Sequence, residues 1–497
     1  MKTSDLYIGI DLGTSNLKAL LVSADGEIEA SASMGYSVSY PRDGWSEQNP
    51  EDWYAAALSC MERVLRDADK RRVKGLSVGG QMHGLVALDA EGKVIRPCIL
   101  WNDGRTDGET EFLNGRIGRE KLASLTGNIA FAGFTAPKLL WLRDNEPHSF
   151  ARTAHILLPK DYLLYRLTGE FSTDCSDASG TLLLDVKNRR WSEEMLQICG
   201  IDRAWLPALS ESFGEIGVLR RDTAERLGLG RVTVAAGAGD NAAAAVGVGA
   251  VGGGGCNISL GTSGTLFVSS ESYREDKSNA LHAFCHADGG YHLMGCVLSA
   301  ASCNAWWCDK VLRVSDYGKE QRELNDLVGR NDVFFLPYLM GERSPHNDVN
   351  ARGAFVGMRP DTDRRHMTLA VMEGVAFALK DCLKAAEADG VVIGSTKICG
   401  GGAKSALWRR ITADVLGIPV ETPVTEQGPA FGAALLAMTC CGEYADVRQA
   451  ASATVKIKSV TEPSSAAALY EKKYGVYAAL YPALKNVFAS VRESASP

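Results

Sequence analysis

The sequence predicts an α/β protein built from two duplicated halves. Three observations carry that prediction. The chain opens on a strand–turn–strand pattern, with apolar residues 7–12 and 17–22 flanking a short Gly-Thr-Ser turn. The segment IDLGTSNLKALLV at 10–22 is echoed by ISLGTSGTLFVSS at 258–270, about half the chain later, and self-similarity at that scale is the mark of a duplicated unit. Between the copies, residues 243–255 form a glycine-rich connection able to act as a hinge. The expected domains are 1–246 and 247–497.

The elements follow in order. A D-G turn at Asp25-Gly26 leads into a third strand at 27–34, completing a β-meander. Residues 50–68 predict a helix with a proline at its start. Strands are expected at 73–78 and 84–88, and helices at 136–145 and 160–168. An apolar strand at 232–236 precedes an Ala-rich helix. The second meander starts with strands at 255–260 and 265–269, and residues 282–286 predict a short strand. A strand at 396–399 and helices at 367–388 and 403–416 follow. The last helix, about 466–491, places Leu469, Tyr477, Leu480, Leu484 and Phe488 at helical spacing, as core residues.

Composition excludes several classes. Of 497 residues, 45% are hydrophobic and 23% charged, values of a folded globular chain. The net charge of −7 argues against a nucleic-acid partner. No stretch is apolar and long enough for a membrane span; residues 235–260 contain Asp240 and Asn241. Lys2 and Asp5 precede an apolar run of only 6–10, too short for a signal peptide. Thirteen scattered cysteines without a C-x-x-C pair predict reduced, mostly buried thiols and a cytoplasmic protein.

The residues that could do chemistry fall in five places. The turns Gly13-Thr14-Ser15 and Gly261-Thr262-Ser263 expose backbone N–H groups and hydroxyls suited to phosphate oxygens, one turn per half. Asp11 precedes the first where Ser259 precedes the second. A carboxylate beside a phosphate cradle calls for a cation between them, so Asp11 is a candidate for Mg²⁺, directly or through water; its alternative is a turn-stabilising acid. Asp240, in Gly237-Ala238-Gly239-Asp240-Asn241-Ala242, sits at a strand-to-helix turn among small residues, suiting either a general base or a helix N-cap. Gly400-Gly401-Gly402-Ala403 opens a helix and lets a flat ring or phosphate approach the backbone, although Ala403 before Lys404 rules out a P-loop. The G-x-G-x-x-G match at 247–252 has its strand and helix reversed and is not a dinucleotide fingerprint. His282, Cys285, His286 and nearby His292 could suggest a metal, but strand alternation puts Cys285 opposite the two histidines, favouring a substrate-adjacent or structural role. Polar loops with aromatics, containing Gln81-Met82-His83, Trp101-Asn102-Asp103 and residues 338–346, supply stacking faces and paired donors and acceptors of the kind a sugar needs.

Taken together, DLGTS at 11–15, GDNA at 239–242, LGTSG at 260–264 and GGGAKS at 400–405 resemble the FGGY carbohydrate kinases. So do the stretches GFTAPKLLWLRDN at 133–145 and GAFVGMRPDTDRRHMTLAVMEG at 353–374. The resemblance spans residues 7–440. The sugar-facing loops GQMHG, WNDGR, HAFCHA and SAASCNAW are most similar to members that act on D-xylulose, less to those acting on glycerol, gluconate or ribulose. It implies an actin-like (ribonuclease H-like) two-domain sugar kinase fold with a central cleft, and ATP-dependent phosphorylation of D-xylulose at its 5-hydroxyl. By the same resemblance, Asp240 is the base, and Met82, His83, Trp101, Asn102 and Asp103 face the sugar. Asp11 serves Mg²⁺; Gly13, Thr14, Ser15, Gly261, Thr262 and Ser263 serve the phosphates, and Gly401, Gly402 and Ala403 the nucleotide. A homodimer is also implied. A kinase for another ketose or polyol, and a non-catalytic sugar-sensing protein of the same fold, are the alternatives.

Overall fold

The computed structural model describes residues 4–495; Lys2, part of the N-terminal charge pattern, lies outside the described residues. The first half is organised on a seven-stranded sheet: β1 (Leu6–Leu12), β2 (Asn16–Ser23), β3 (Ile28–Gly35), β4 (Val73–Gly80), β5 (Glu215–Val218), β6 (Thr233–Ala235) and β7 (Ala238–Gly239). Its order is β5-β6-β4-β1-β2-β3, with β7 also on β4. The second half is built on β8 (Cys256–Leu260), β9 (Gly264–Ser270), β10 (His282–Cys285), β11 (Tyr291–Val297), β12 (Thr396–Cys399), β13 (Val420–Pro423) and β14 (Ile457–Thr461). Its order is β10-β11-β9-β8-β12-β13-β14.

The two sheets repeat one plan. β1 pairs antiparallel with β2 and parallel with β4, as β8 does with β9 and β12. Each sheet continues through a further parallel strand, β6 or β13, to an antiparallel edge, β5 or β14. The duplication seen in the LGTS turns therefore extends over whole sheets. The expected strand at 84–88 exists as Val86–Leu88, but it pairs with His155–Leu157 outside the main sheet.

Eight helices matter for the site: α1 (Pro50–Val64), α2 (Thr135–Asn145), α3 (Pro159–Thr168), α4 (Asp240–Gly247), α5 (Arg364–Ala388), α6 (Ala406–Leu416), α7 (Gly428–Cys440) and α8 (Ala467–Ala495). α1 starts at Pro50 after Asn49, whose side chain accepts from Glu51 N–H. Strand alternation puts Leu6, Ile8 and Ile10 in one core with Trp53 of α1 and Leu163 of α3. Tyr7 faces the other way, into a core with Ala430, Ala434 and Leu435 of α7. Gly9 shares that second face, and a Cβ there would come within 2.0 Å of the Ala430 carbonyl oxygen. A helix from the second half of the sequence thus lies on the sheet of the first.

Two helical expectations shift. Residues 402–404 form a 3₁₀ turn, and α6 begins only after Ser405, whose hydroxyl caps Trp408 N–H. In α8, Tyr477 and Phe488 are buried and Leu480 and Leu484 pack at the margin, but Leu469 is 41% exposed; Tyr470 fills the core instead. All thirteen cysteines are free, and nine are buried. Among the described residues no helix is long and apolar enough to cross a membrane.

Candidate active site

Asp240 is the first residue of α4, following Gly239. It is not the N-cap. Its Oδ1 accepts both the backbone N–H (2.7 Å) and the side-chain amide (2.9 Å) of its neighbour Asn241. Burial pushes its carboxyl up to about 6, against those two hydrogen bonds. Gly239 packs against the Met82 side chain, which a Cβ would meet at 2.9 Å and would have to displace. The small residues around Asp240 thus let the Met82-His83 loop close against the turn that carries it.

Asp11 sits on β1 opposite Lys18 of β2. Burial and the Asp240 charge raise it to about 7, and Lys18 acts against them. Lys18 also donates to Gln427 Oε1 at 2.8 Å, just before α7. Two carboxylates that feel each other in a half-buried setting, with one nearby lysine, form an electrostatic basin for positive charge.

His83 adopts a left-handed backbone (φ 69°). Its Nδ1 lies 2.7 Å from the Gly180 carbonyl, which can only accept, so Nδ1 carries the proton and Nε2 is the ring's acceptor. The ring stacks on Phe134 at 4.6 Å, and burial lowers its pKa to about 3, keeping it neutral. Its carbonyl is held by Thr135 Oγ1 (3.1 Å) and Lys138 Nζ (3.0 Å). Sequence reasoning missed Lys138, although it lies in the 133–145 stretch. It is fully buried, and burial lowers it to about 7.

The other residues expected to face the sugar divide. Trp101 is 44% exposed and donates from Nε1 to Thr14 Oγ1 at 2.9 Å; Asn102 is exposed beside it. Asp103 departs from the expectation of a direct sugar contact. It is buried, its Oδ2 takes Ser46 N–H (2.5 Å) and Arg105 Nη2 (2.7 Å), and its Oδ1 takes Arg105 Nε (2.8 Å). The reason is local: Arg105, two residues on, lies over the Trp45 ring at 3.7 Å and needs a carboxylate to balance it. The Thr14 hydroxyl is also engaged, donating to Gln81 Oε1 at 3.1 Å. The first turn is thereby tied to both polar loops, while Gly13 N–H closes it on Asn16 and Ser15 remains exposed.

Two neighbouring cavities lie along the turns of the second half. The larger, about 810 Å³, is bordered by Gly261, Thr262, Tyr317, Gln321, Gly402 and Trp408. The smaller, about 380 Å³, is bordered by Asp240, Asn257, Ser259, Thr265 and Lys404. Gly401 borders both. Gly400 has φ +88° and lies so close to the end of β8 that a Cβ would meet Leu260 at 2.7 Å, so the glycine turn sits flat on that strand. Ala403 borders neither cavity: it is buried, and its N–H closes the turn on the Gly400 carbonyl. The carbonyls of Gly261 and Thr262 accept the N–H groups of Ala301 and Ala300, while Thr262 and Ser263 are exposed. Gly401 thus stands between the larger cavity and the one that Asp240 borders.

The histidine cluster resolves into aromatic packing. His282 meets Phe131 edge-on at 4.9 Å and stacks on Phe284. His292 stacks on Phe267 at 4.1 Å, and His286 Nε2 lies 3.1 Å from the Ala250 carbonyl. Among the described residues no group of three or more His, Cys, Asp or Glu side chains is placed to hold a metal. Since Phe131 also packs on Phe134, His282 of the second half joins the aromatic wall behind His83. Arg343 lies over Phe131 at 5.1 Å.

Comparison with known proteins agrees with this geometry. Residues 6–247 match the N-terminal domain of the FGGY family of carbohydrate kinases, and residues 256–441 its C-terminal domain. The chain is 42% identical over 439 residues to a xylulose kinase of Escherichia coli (strain K12), covering 87% of this chain and 89% of that protein. The crystal structure of a xyloylose kinase from Brucella ovis superposes with a TM-score of 0.92 at 42% identity, covering 97% of this chain and all of the other. That of a gluconate kinase from Lactobacillus acidophilus superposes equally well, with a TM-score of 0.93 at 26% identity over 98% of this chain and all of the other. With both halves matched, the sheets duplicated in the actin-like manner and a cavity bordered by Asp240 on one side and the Gly401 turn on the other, this chain belongs to the FGGY family of carbohydrate kinases.

Proposed function

We propose that the chain phosphorylates D-xylulose at its 5-hydroxyl, with ATP as donor and D-xylulose 5-phosphate as product. The observation that carries the mechanism is Asp240, an acid with raised pKa that borders the cavity of about 380 Å³ at Gly401 and follows Gly239, on which the Met82 side chain packs. The similarity to xylulose kinases supports the choice of sugar, since the fold alone is shared with a gluconate kinase.

The chain's own groups account for the chemistry. Both Asn241 bonds fall on Asp240 Oδ1, which leaves Oδ2 for the sugar hydroxyl. As the hydroxyl oxygen bonds to the γ-phosphorus, the bond to the ADP oxygen breaks and the hydroxyl proton passes to Oδ2. A carboxylate with a pKa near 6 is ionised at neutral pH yet a better proton acceptor than an ordinary one. His83 Nε2 accepts from a sugar hydroxyl, and Trp101 offers a face to the sugar. Thr262 and Gly401 line the route of the phosphates.

Asp11 fits a hard divalent cation: its carboxyl is raised by burial and by the Asp240 charge, so a positive charge placed there relieves the repulsion. Asp11 would hold Mg²⁺ directly or through water, and the ion when bound neutralises charge on the phosphate oxygens. The reading extends to a cytoplasmic homodimer, the compartment being supported by thirteen free thiols.

A coupled ADP-release assay with Mg-ATP over ketopentoses, gluconate and polyols tests the proposal. D-xylulose should give the highest kcat/KM of the panel. A tenfold preference for ribulose, gluconate or glycerol would contradict it.

A further inference from the structure

Behind Asp240 lies a buried ionic cluster that the mechanism above does not use. Lys160 is fully buried, and its Nζ lies 2.6 Å from Asp161, 3.1 Å from Asp174 and 3.9 Å from Asp177. Burial opposes its charge, but the three carboxylates outweigh that and hold it protonated. Asp177 is fully buried too, and neither of its oxygens has a hydrogen-bond partner among the described residues. Its pKa is raised by burial against Lys160, with the Asp240 charge also acting on it.

This cluster reaches the turn that presents Asp240. Gly237 there has φ +74°, and a Cβ on it would come within 2.1 Å of the Val78 carbonyl oxygen. Four polar groups fix the turn. Ala236 N–H donates to Gly214 (2.9 Å) and Gly237 N–H to the Ser212 carbonyl (2.9 Å). The Ala236 carbonyl accepts from Lys160 Nζ at 3.1 Å, and Gly239 N–H donates to Ser176 Oγ at 3.2 Å. Ser176 is oriented for this task. Its only hydroxyl proton goes to Asp174 Oδ2 at 2.5 Å, which turns a lone pair toward Gly239. The same Asp174 oxygen takes Ser212 Oγ at 2.7 Å. Both ends of the turn are therefore pinned from one buried cluster. Neither Lys160 nor Ser176 borders either cavity.

We infer that Lys160 and Ser176 are positioning residues for Asp240, acting on the backbone of residues 236–239 rather than on substrate. The inference rests on Asp240 being the base. Its chemical logic is that phosphoryl transfer depends on placement, and a small displacement of the proton acceptor from the attacking hydroxyl is costly.

Lys160→Met would strand three buried carboxylates and threaten the fold, so Ser176→Ala carries the test. It should lower kcat about tenfold, with the KM values for D-xylulose and ATP within about twofold of the parent. Ser176→Thr, which keeps the hydroxyl, should recover most of that loss. Combining Ser176→Ala with Asp240→Asn should cost no more than Asp240→Asn alone, because Ser176 acts through Asp240. A Ser176→Ala enzyme with parental kcat would overturn the inference. So would a loss shared equally by kcat and both KM values, a Thr variant no better than Ala, or a further tenfold loss in the double variant. If Ser176→Ala does not fold, Ser212→Ala removes another bond from the same Asp174 oxygen and is expected to give the same split. Parental kcat in Asp240→Asn alone would instead defeat the base assignment, whatever Ser176→Ala does.

Discussion

Asp240 and His83 carry opposite burdens from burial. The acid is raised to about 6 and the imidazole lowered to about 3, so at neutral pH one is a charged base and the other a neutral acceptor. Asp240 must be ionised to take the proton, so kcat/KM for D-xylulose should fall as pH drops through about 6; a profile flat down to pH 4.5 would contradict this. The stability sign runs the other way. A folded-state pKa above the unfolded value means the folded chain gains stability from this group at low pH and loses it as pH rises through about 6. Asp240→Asn should accordingly melt no lower than the parent at pH 8, and any advantage should fade toward pH 4. His83→Ala should mainly raise the sugar KM, at a cost of about 1–3 kcal/mol for a lost buried hydrogen bond. Unchanged sugar KM and kcat would make His83 a purely structural residue. The sequence marked Asp240 by its small neighbours and Met82-His83 by their polar loop, but the roles proposed for them rest on the family resemblance. Asp103 was misread, since Arg105 and Ser46 claim it only through the fold. Lys138 gave no signal apart from its stretch, because a lysine in a helix ordinarily marks a solvated face.

At the scale of elements, the structure turns on the pairing of α4 with α7. A Cβ on Gly432 would fall 1.8 Å from the Ala243 carbonyl oxygen, and one on Gly247 would fall 2.1 Å from that of Gly428. These helices touch backbone to backbone, and α4 carries Asp240 while α7 lies on the first sheet. Gly432→Ala should therefore destabilise by about 1–3 kcal/mol, seen as a lower thermal midpoint. Gly475→Ala in α8, with open space around its Cβ, is the control and should be neutral or stabilising. Equal effects of the two substitutions would contradict the close-packed pairing. The meanders were legible because alternating or continuous apolar runs end at Gly-containing turns. The docking of α7 on the other half's sheet was not, since a run of Gly and Ala records closeness but not the partner. Leu469 shows the same limit: helical spacing put it on a stripe, but the neighbouring elements bury Tyr470 instead.

At the scale of the whole molecule, two sheets of one plan carry the two LGTS turns at equivalent places, after β1 and after β8. That duplication was readable from five identical residues in two thirteen-residue segments about half a chain apart. The meeting of the two cavities at Gly401 was not, because residues near 240, 260, 300 and 400 converge only in three dimensions. The central claim is that this convergence delivers a phosphoryl donor to a sugar hydroxyl held by Asp240. The most direct measurement is kcat of Asp240→Asn with D-xylulose and Mg-ATP, alongside ATP affinity. Loss of the base should lower kcat by roughly 10²–10⁴ while ATP affinity holds. A variant that keeps more than about a third of the parental kcat would contradict the account, because a general base of that magnitude cannot be removed so cheaply.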